Sequence, residues 1–335
     1  MTNAVAVAQY GGLGATKNRI INGAMMIDQR NAGASLNPSN GQYSVDRWLC
    51  YLTQLSKFTV QQSSTAPAGF TNSLLVTSSS AYSVTSGDLF NIGQFIEGYN
   101  IADLGWGSAS AQSVTLSFWV RSSLTGIFGG VVRNTGGGTR SYPFTYTISS
   151  ANTWEQKTIT IAGDTTGAWN TTNGQGIGVL FDLGVGSTYR GTAGAWANSN
   201  LYGATGATSI VGTSGATFYI TGVQLEEGTT ATAFEQRLYG TELALCQRYY
   251  EVLYADSAGE CIFSAQWSTG YRWVWQMKVS KRTNASFSLV GSGNWQVNTP
   301  SVTTGFTNIG AYSATGIYYL QGTANTVVGA ASAEL

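Results

Sequence analysis

The stretch GIGVLFDLGVG, residues 176–186, places Ile177, Val179, Phe181, Leu183 and Val185 at alternate positions, with Gly178, Asp182 and Gly184 among those between them. An apolar set that recurs every second residue belongs on one face of a β-strand, because successive Cβ atoms of an extended chain point to opposite sides. The same period continues outward from this stretch. In SVTLSFWVRSS, residues 113–123, Val114, Leu116, Phe118 and Val120 form the inward set and Thr115, Ser117, Trp119 and Arg121 the outward one. KTITIAG at 157–163 and TFYITGVQLEEG at 217–228 read as two further strands. In the second of these the apolar parity changes around Gly222, which predicts a β-bulge there. Turn-forming stretches such as NTGGGTRS (134–141) and GDTTGAWNTTNGQG (163–176) lie between the strands. Many strands joined by polar loops, with no helices alternating with them, point to an all-β fold, a jelly-roll β-sandwich rather than a parallel α/β sheet. No fixed-period repeat is visible, which argues against a propeller or β-helix.

Composition narrows the function. Charged residues make up 10% of the 335 residues, against about 25% in an average soluble protein, so Ser, Thr, Asn, Gln and Gly must cover much of the surface. A chain of this length can bury one large core or two smaller ones. The sequence has no histidine, which excludes Ser-His-Asp and Cys-His triads and the HExxH zinc motif. With 16 basic and 16 acidic residues the net charge is zero, and the electrostatic footprint of a nucleic-acid-binding protein is missing. Cys50, Cys246 and Cys261 are an odd set without a CxxC pair, and read as buried thiols rather than a disulfide framework or zinc site. Residues 1–19 lack a basic region followed by a long apolar one, and nowhere do 18 apolar residues run together. Neither classical secretion nor membrane insertion is expected.

One stretch departs from the β period. In TELALCQRYYEVLY, residues 241–254, Leu243, Cys246, Tyr250 and Leu253 recur at helical spacing and Thr241 stands where an N-cap would be, predicting a helix of about three turns. After it YRWVWQMKVS (271–280) alternates again, and SFSLV and GIYYLQG follow. The expected organisation is an N-terminal attachment arm over 1–17, a jelly-roll sandwich over 18–240, a linking helix over 241–254 and a second, smaller β domain over 255–335.

Taken in order, NRIINGAMMIDQRNAG (18–33), YSVDRW (43–48), QFIEGYNIADLGWG (94–107), VTLSFWVRSS (114–123), ITGVQLEEGTTATAFEQR (220–237) and LALCQRYYE (243–251) resemble a group of bacteriophage structural proteins of the tail-fibre or virion-associated kind. The resemblance runs through residues 18–254. WQMKVSKRTNASFSL (275–289) and the closing ASAEL (331–335) look like the small β module that often follows. The central region is also similar to the galactose-binding-like jelly roll of carbohydrate-binding modules, whose last strand often reads like GVQLEEG. The resemblance implies sugar binding as one of the tasks this fold serves. It implies a non-enzymatic virion protein, fibre-type and homotrimeric, attached by its N-terminal arm and displaying β-sandwich domains for host-surface glycan adhesion. Its partners would be other virion proteins of tail, neck or capsid, its own copies and host polysaccharide, and its location the virion, after assembly in the host cytoplasm. The alternative is a head fibre, capsid decoration or neck protein with a purely structural role; the short arm and the lack of a coiled-coil shaft favour it.

A sugar site on such a fold needs flat aromatic faces together with amides and charged groups for the hydroxyls. The candidates are Trp106, Trp119, Arg121, Trp169, Asn170, Trp196 and Asn198, with Trp154 also near a loop. Tryptophans that fill the core or subunit contacts are the competing reading. Virion attachment falls to Met1, Val5, Val7, Tyr10 and Leu13, and oligomer contact to Leu243, Tyr250, Leu253, Trp273 and Trp275. No catalytic residue is expected. Glu226 and Glu227 are adjacent on a strand and point to opposite faces, so they cannot flank one glycosidic bond, and their expected place is a solvated turn; Asp182 with Glu155 is the other pair to weigh. No organic cofactor is expected. A structural calcium ion would suit oxygen-rich loops, but Asp28, Asp46, Asp88, Asp103 and Asp164 are scattered and no ligands are assigned.

Overall fold

The inward sets found by alternation form the core. Val114, Leu116, Phe118 and Val120 are buried, and so are Ile177, Val179, Phe181, Leu183 and Val185. The structure, a computed structural model, describes residues 17–136, 138–255, 264–267, 270–273, 278–283, 285–288 and 326–335.

In chain order the strands are β1 (Gln42–Tyr43), β2 (Leu49–Leu52), β3 (Phe58–Ser63), β4 (Ser73–Ser78), β5 (Phe90–Glu97), β6 (Val114–Ser122) and β7 (Gly126–Asn134). They continue with β8 (Arg140–Ile148), β9 (Glu155–Ile161), β10 (Gln175–Asp182), β11 (Arg190–Gly191), β12 (Ala197–Asn198), β13 (Gly203–Ala204) and β14 (Thr217–Glu227). Two antiparallel sheets result, one seven-stranded in the order β1-β2-β5-β10-β7-β8-β12 and one five-stranded in the order β3-β4-β14-β6-β9. Counting β4 to β10 and then β14 as strands one to eight, the sheets contain the orders 1-8-3-6 and 2-7-4-5. That is the double Greek key of a jelly roll. Aromatic rings join the inner faces: Phe118 of β6 meets Phe181 of β10 and Tyr146 of β8, each at 5.0 Å between centroids.

The bulge lies where the parity change placed it. The β14–β6 register shifts between Thr221 and Gln224, and Gly222 has φ 60°. Phe218 and Ile220 before it, and Val223 and Leu225 after it, all reach the core. Cys50 and Cys246 are buried free thiols, and burial pushes the Cys50 thiol up to about 12.

The helix differs from its expected span. Helix α1 is Tyr239–Gln247, with Leu238 at the N-cap and Thr241 inside it. Tyr250 and Leu253, assigned to the helical stripe, instead lie on strand β15 (Tyr250–Ala255). Tyr-Tyr-Glu-Val-Leu-Tyr is rich in aromatic and β-branched residues that suit a pleated surface, and β15 pairs along its length with β19 (Thr326–Ser332). Strand β18 (Ser286–Ser288) completes the order β15-β19-β18, and β16 (Ser264–Trp267) pairs with β17 (Gly270–Trp273). Among the described residues no helix is long and apolar enough to cross a membrane.

Candidate glycan-binding face

Residues facing outward from the five-stranded sheet line up by register. Gln61 stands opposite Leu75, Leu75 opposite Tyr219 and Tyr219 opposite Arg121, one row across four strands. In the neighbouring row Thr221 faces Trp119, and Trp119 faces Gln156. Trp154, just before β9, brings its ring to 6.0 Å from that of Tyr219 at 67°. The Arg121 guanidinium lies 5.0 Å from the Tyr219 ring centroid. Its Nε donates to the Asn152 carbonyl at 2.8 Å, and Asn152 N–H in turn donates to the Ser122 carbonyl at 2.6 Å. Asn152 has φ 57°, a left-handed conformation that Asn tolerates better than most residues.

Gly222 joins this row to further rings. A Cβ there would lie 2.6 Å from Cζ of Phe70 and 3.1 Å from Cδ1 of Trp119. Its absence lets both rings close on the bulge. Phe70 also meets Phe234 edge-on at 5.2 Å. The result is an aromatic strip of Phe234, Phe70, Trp119, Tyr219 and Trp154, every ring half-buried, with Arg121, Gln61 and Gln156 beside it. Such a surface offers ring faces to the apolar side of a sugar, and amide and guanidinium groups to its oxygens. Tyr219 and Phe70 were not singled out from the sequence, and Gly222 only as the site of a bulge. The outward parity of Tyr219 between Phe218 and Ile220 was the available signal.

The other predicted tryptophans form a separate group. Trp106, Trp169 and Trp196 pack edge to face, with centroids 4.8, 5.3 and 5.6 Å apart. Tyr142 adds a fourth ring, 5.4 Å from Trp196. Each indole N–H is taken by the protein: Trp106 donates to the Gln112 carbonyl at 2.7 Å, Trp196 to the Ala162 carbonyl at 2.7 Å and Trp169 to Asp164 Oδ2 at 3.2 Å. Arg140 holds Asp164 with two bonds of 2.9 and 2.6 Å. Burial would raise the Asp164 carboxyl, but the Arg140 hydrogen bond and charge outweigh it and hold it below the ordinary range. Asn170 Oδ1 accepts from Thr172 N–H and hydroxyl, and Asn198 Oδ1 accepts from Thr139. These tryptophans brace the loops around them. The predicted set therefore divides, with Trp119 and Arg121 on the open sheet face and Trp106, Trp169, Asn170, Trp196 and Asn198 in or beside the loop cluster.

The two carboxylate pairs weighed from the sequence do not come together as acid and base. Glu226, expected in a solvated turn, is buried, whereas Glu227 is exposed. Glu226 accepts from Thr232 N–H, the Thr232 hydroxyl and Gln224 Nε2, and its side chain is buried because the 229–235 segment folds back over it. Asp182 and Glu155 belong to different sheets. Glu155 is held by Lys157 at 2.6 Å and by Ser149 and Ser150 N–H groups. The five scattered aspartates also serve the protein. Asp28 caps Asn31 and Gly33 N–H, Asp103 pairs with Arg19, and Asp46 accepts from Gln29. Burial would raise Asp88, but donors from Thr85, Thr53 and Tyr82 bring it down to about 2. Among the described residues no three acidic or cysteine side chains gather as a metal-holding group.

Met1, Val5, Val7, Tyr10, Leu13 and Trp275 lie outside the described residues, while Trp273 falls on β17 and Leu253 on β15. Leu243 packs with Ile21, Ile27, Cys246 and Tyr249, and Tyr250 lies beneath the Arg30 guanidinium at 3.5 Å. This region holds an ionic knot that spacing alone did not reveal. Glu334 pairs with Arg47 and, at 2.6 Å, with Arg30. Arg47 stacks on Tyr249 at 3.6 Å, and Glu97 accepts from Arg248 at 2.7 Å and from the Tyr249 hydroxyl at 2.8 Å. The motifs NRIINGAMMIDQRNAG, YSVDRW, QFIEGYN, LALCQRYYE and ASAEL all contribute a residue. Far apart in sequence, they converge where β15 and the 333–335 segment meet the sandwich.

No protein-family model and no curated protein matches the sequence. Among solved structures the chain is similar to the enzymatically active domain of bacteriophage CBA120 tailspike protein 4, at 14% identity and a TM-score of 0.34. That match covers 63% of this chain and 22% of the other, so the chain spans less than a quarter of its length. It is also similar to the CBM22-1 xylan-binding domain of Paenibacillus barcinonensis Xyn10C, at 12% identity and a TM-score of 0.31, covering 60% of this chain and 99% of that one. A third is TmCBM61, solved with β-1,4-galactotriose, at 11% identity and a TM-score of 0.31, covering 64% and 100% respectively. The TM-scores are low, and the jelly-roll assignment rests on the strand order of the two sheets.

Proposed function

We propose that this chain is a non-enzymatic structural protein of a phage virion, of the fibre type, which binds host-surface glycan through the outer face of its five-stranded sheet. The observation that carries the adhesive part is the strip of half-buried rings, Phe234, Phe70, Trp119, Tyr219 and Trp154, lying side by side on that face. A contiguous apolar surface rimmed by polar groups commonly marks a binding site. Tyr and Trp supply large contact area at little conformational cost. Placement on a phage particle is supported by the ordered set of sequence motifs. In this reading the homotrimer multiplies weak sugar contacts through effective concentration, and residues 1–17 attach it to the particle.

The test is retention of the purified protein on host cells and on a glycan array. Trp119→Ala and Trp154→Ala should abolish retention while Trp169→Ala, in the loop cluster, leaves it unchanged on folded protein. Loss in all three or in none would refute this placement of the site. A second reading, a head fibre, capsid decoration or neck protein without receptor binding, is favoured by the shortness of α1, nine residues, among the described residues. No long helix there supplies a coiled-coil shaft. Antibody labelling of the virion separates the two: capsid-face labelling with undisturbed adsorption supports the second.

A further inference from the structure

We infer that the glycan held on this face is acidic and that Arg121 takes its carboxylate; this rests on the adhesion reading above and names its ligand class. Most arginines whose side chains the structure describes have an acidic partner, as Arg19 has Asp103, Arg140 has Asp164 and Arg248 has Glu97. Arg121 makes no ion pair with the described residues. The outward residues of its own row and the next, Gln61, Leu75, Tyr219, Thr221, Trp119 and Gln156, include no carboxylate. Glu155, the nearest acid in sequence to the Trp154 ring, aligns with inward-facing Val120 and is engaged by Lys157 and two backbone N–H groups. Among the described residues, a positive charge thus stands on the aromatic strip without a counter-charge.

Its orientation is set as well. The Nε bond to the Asn152 carbonyl fixes one edge of the guanidinium, and its central carbon lies over the Tyr219 ring, 5.0 Å from the centroid. The two terminal nitrogens make no hydrogen bond with the described residues. A planar fork held in this way suits bidentate recognition of a carboxylate, and little freedom remains to be lost when it binds. The row from Gln61 to Arg121 crosses four strands, about 14 Å at the usual strand spacing, so the acidic sugar would be one unit of a longer chain lying across the rings and amides.

The experiment uses the full chain on an array that pairs uronic-acid-containing oligosaccharides, oligogalacturonate among them, with the same compounds after carboxyl reduction, alongside unrelated neutral glycans. Acidic members should be retained, carboxyl-reduced counterparts should not, and binding should weaken with added salt. Arg121→Gln should weaken acidic-glycan binding roughly tenfold to a hundredfold, and Arg121→Lys should recover only part of it, because a point charge replaces a fork. Thermal unfolding establishes that both variants fold. Equal binding of acidic and reduced members, or binding unchanged in Arg121→Gln, overturns the acidic assignment and leaves adhesion standing. Absence of binding to every glycan overturns the adhesion reading and this inference with it.

Discussion

Replacing Asp182 by Asn should remove a large pH dependence from the stability of this protein, with a size that follows from the environment of the carboxylate. Asp182 lies on the outer side of β10 and is 0% exposed. Its Oδ1 accepts from Gly184 N–H at 2.7 Å. Oδ2 accepts no hydrogen bond, and Arg190 stands 3.6 Å from it. The backbone of Gly203 presses against the group so closely that a Cβ there would run into Oδ2. Burial therefore dominates, pushing the carboxyl from 3.8 up to about 7 against the smaller opposing effects of Arg190 and the Gly184 and Val185 N–H donors. A raised carboxyl means that the native state holds this proton more tightly than the unfolded chain does. Between pH 3.8 and about 7 the native state binds more protons, so stability falls as pH rises through that window and levels off above it. At about 1.36 kcal/mol per unit, a rise of roughly three units is worth about 4 kcal/mol. Asn keeps the shape and the acceptor for Gly184 but cannot ionise. Asp46, which burial also pushes up to about 7, titrates in both proteins and drops out of the difference. Urea unfolding of both proteins from pH 4 to pH 8 should show Asp182→Asn gaining on the parent by about 4 kcal/mol across that range. A difference that stays constant with pH would refute the reasoning, because it would mean that the Arg190 pair keeps Asp182 ionised throughout.

Gly222→Ala puts a side chain at φ 60° and against Phe70 and Trp119; it should lower stability by about 1–3 kcal/mol in thermal or urea unfolding and weaken glycan retention together with it. Trp106→Ala empties the centre of the loop tryptophan cluster and should cost about 3–5 kcal/mol, while retention measured below the melting transition stays unchanged. Glu334→Ala leaves Arg47 buried without its pair and should cost about 3–5 kcal/mol, whereas Arg47→Met combined with Glu334→Leu should regain most of that, as read by urea unfolding.

The jelly roll was legible because strand alternation is a local property. The pattern in 113–123 and 176–186 needs only the geometry of an extended chain to sort inward residues from outward ones. The bulge at Gly222 was legible for the same reason, since a parity change leaves its mark within a few residues. The span from Arg248 to Tyr254 was not. Its apolar residues fit helical spacing as well as alternation, and pairing of Tyr250–Ala255 with Thr326–Ser332, distant in sequence, settles it as strand. Nor could spacing announce that Arg30, Arg47, Glu97, Arg248 and Glu334 meet, because each comes from a different segment.

Trp119 and Asp182 show where the division falls. Both sit at positions opposite in parity to a core-facing set, and the sequence by itself determined that neither would point between the sheets. Only the tertiary structure decided what covers them. Gly203 of β13 lies over Asp182 and shuts it from water, while the outer face of the five-stranded sheet leaves Trp119 and Arg121 half-exposed. Which face a side chain takes is set by its own strand, but whether that face meets solvent depends on where distant segments cross, and those crossings leave no local periodicity to read.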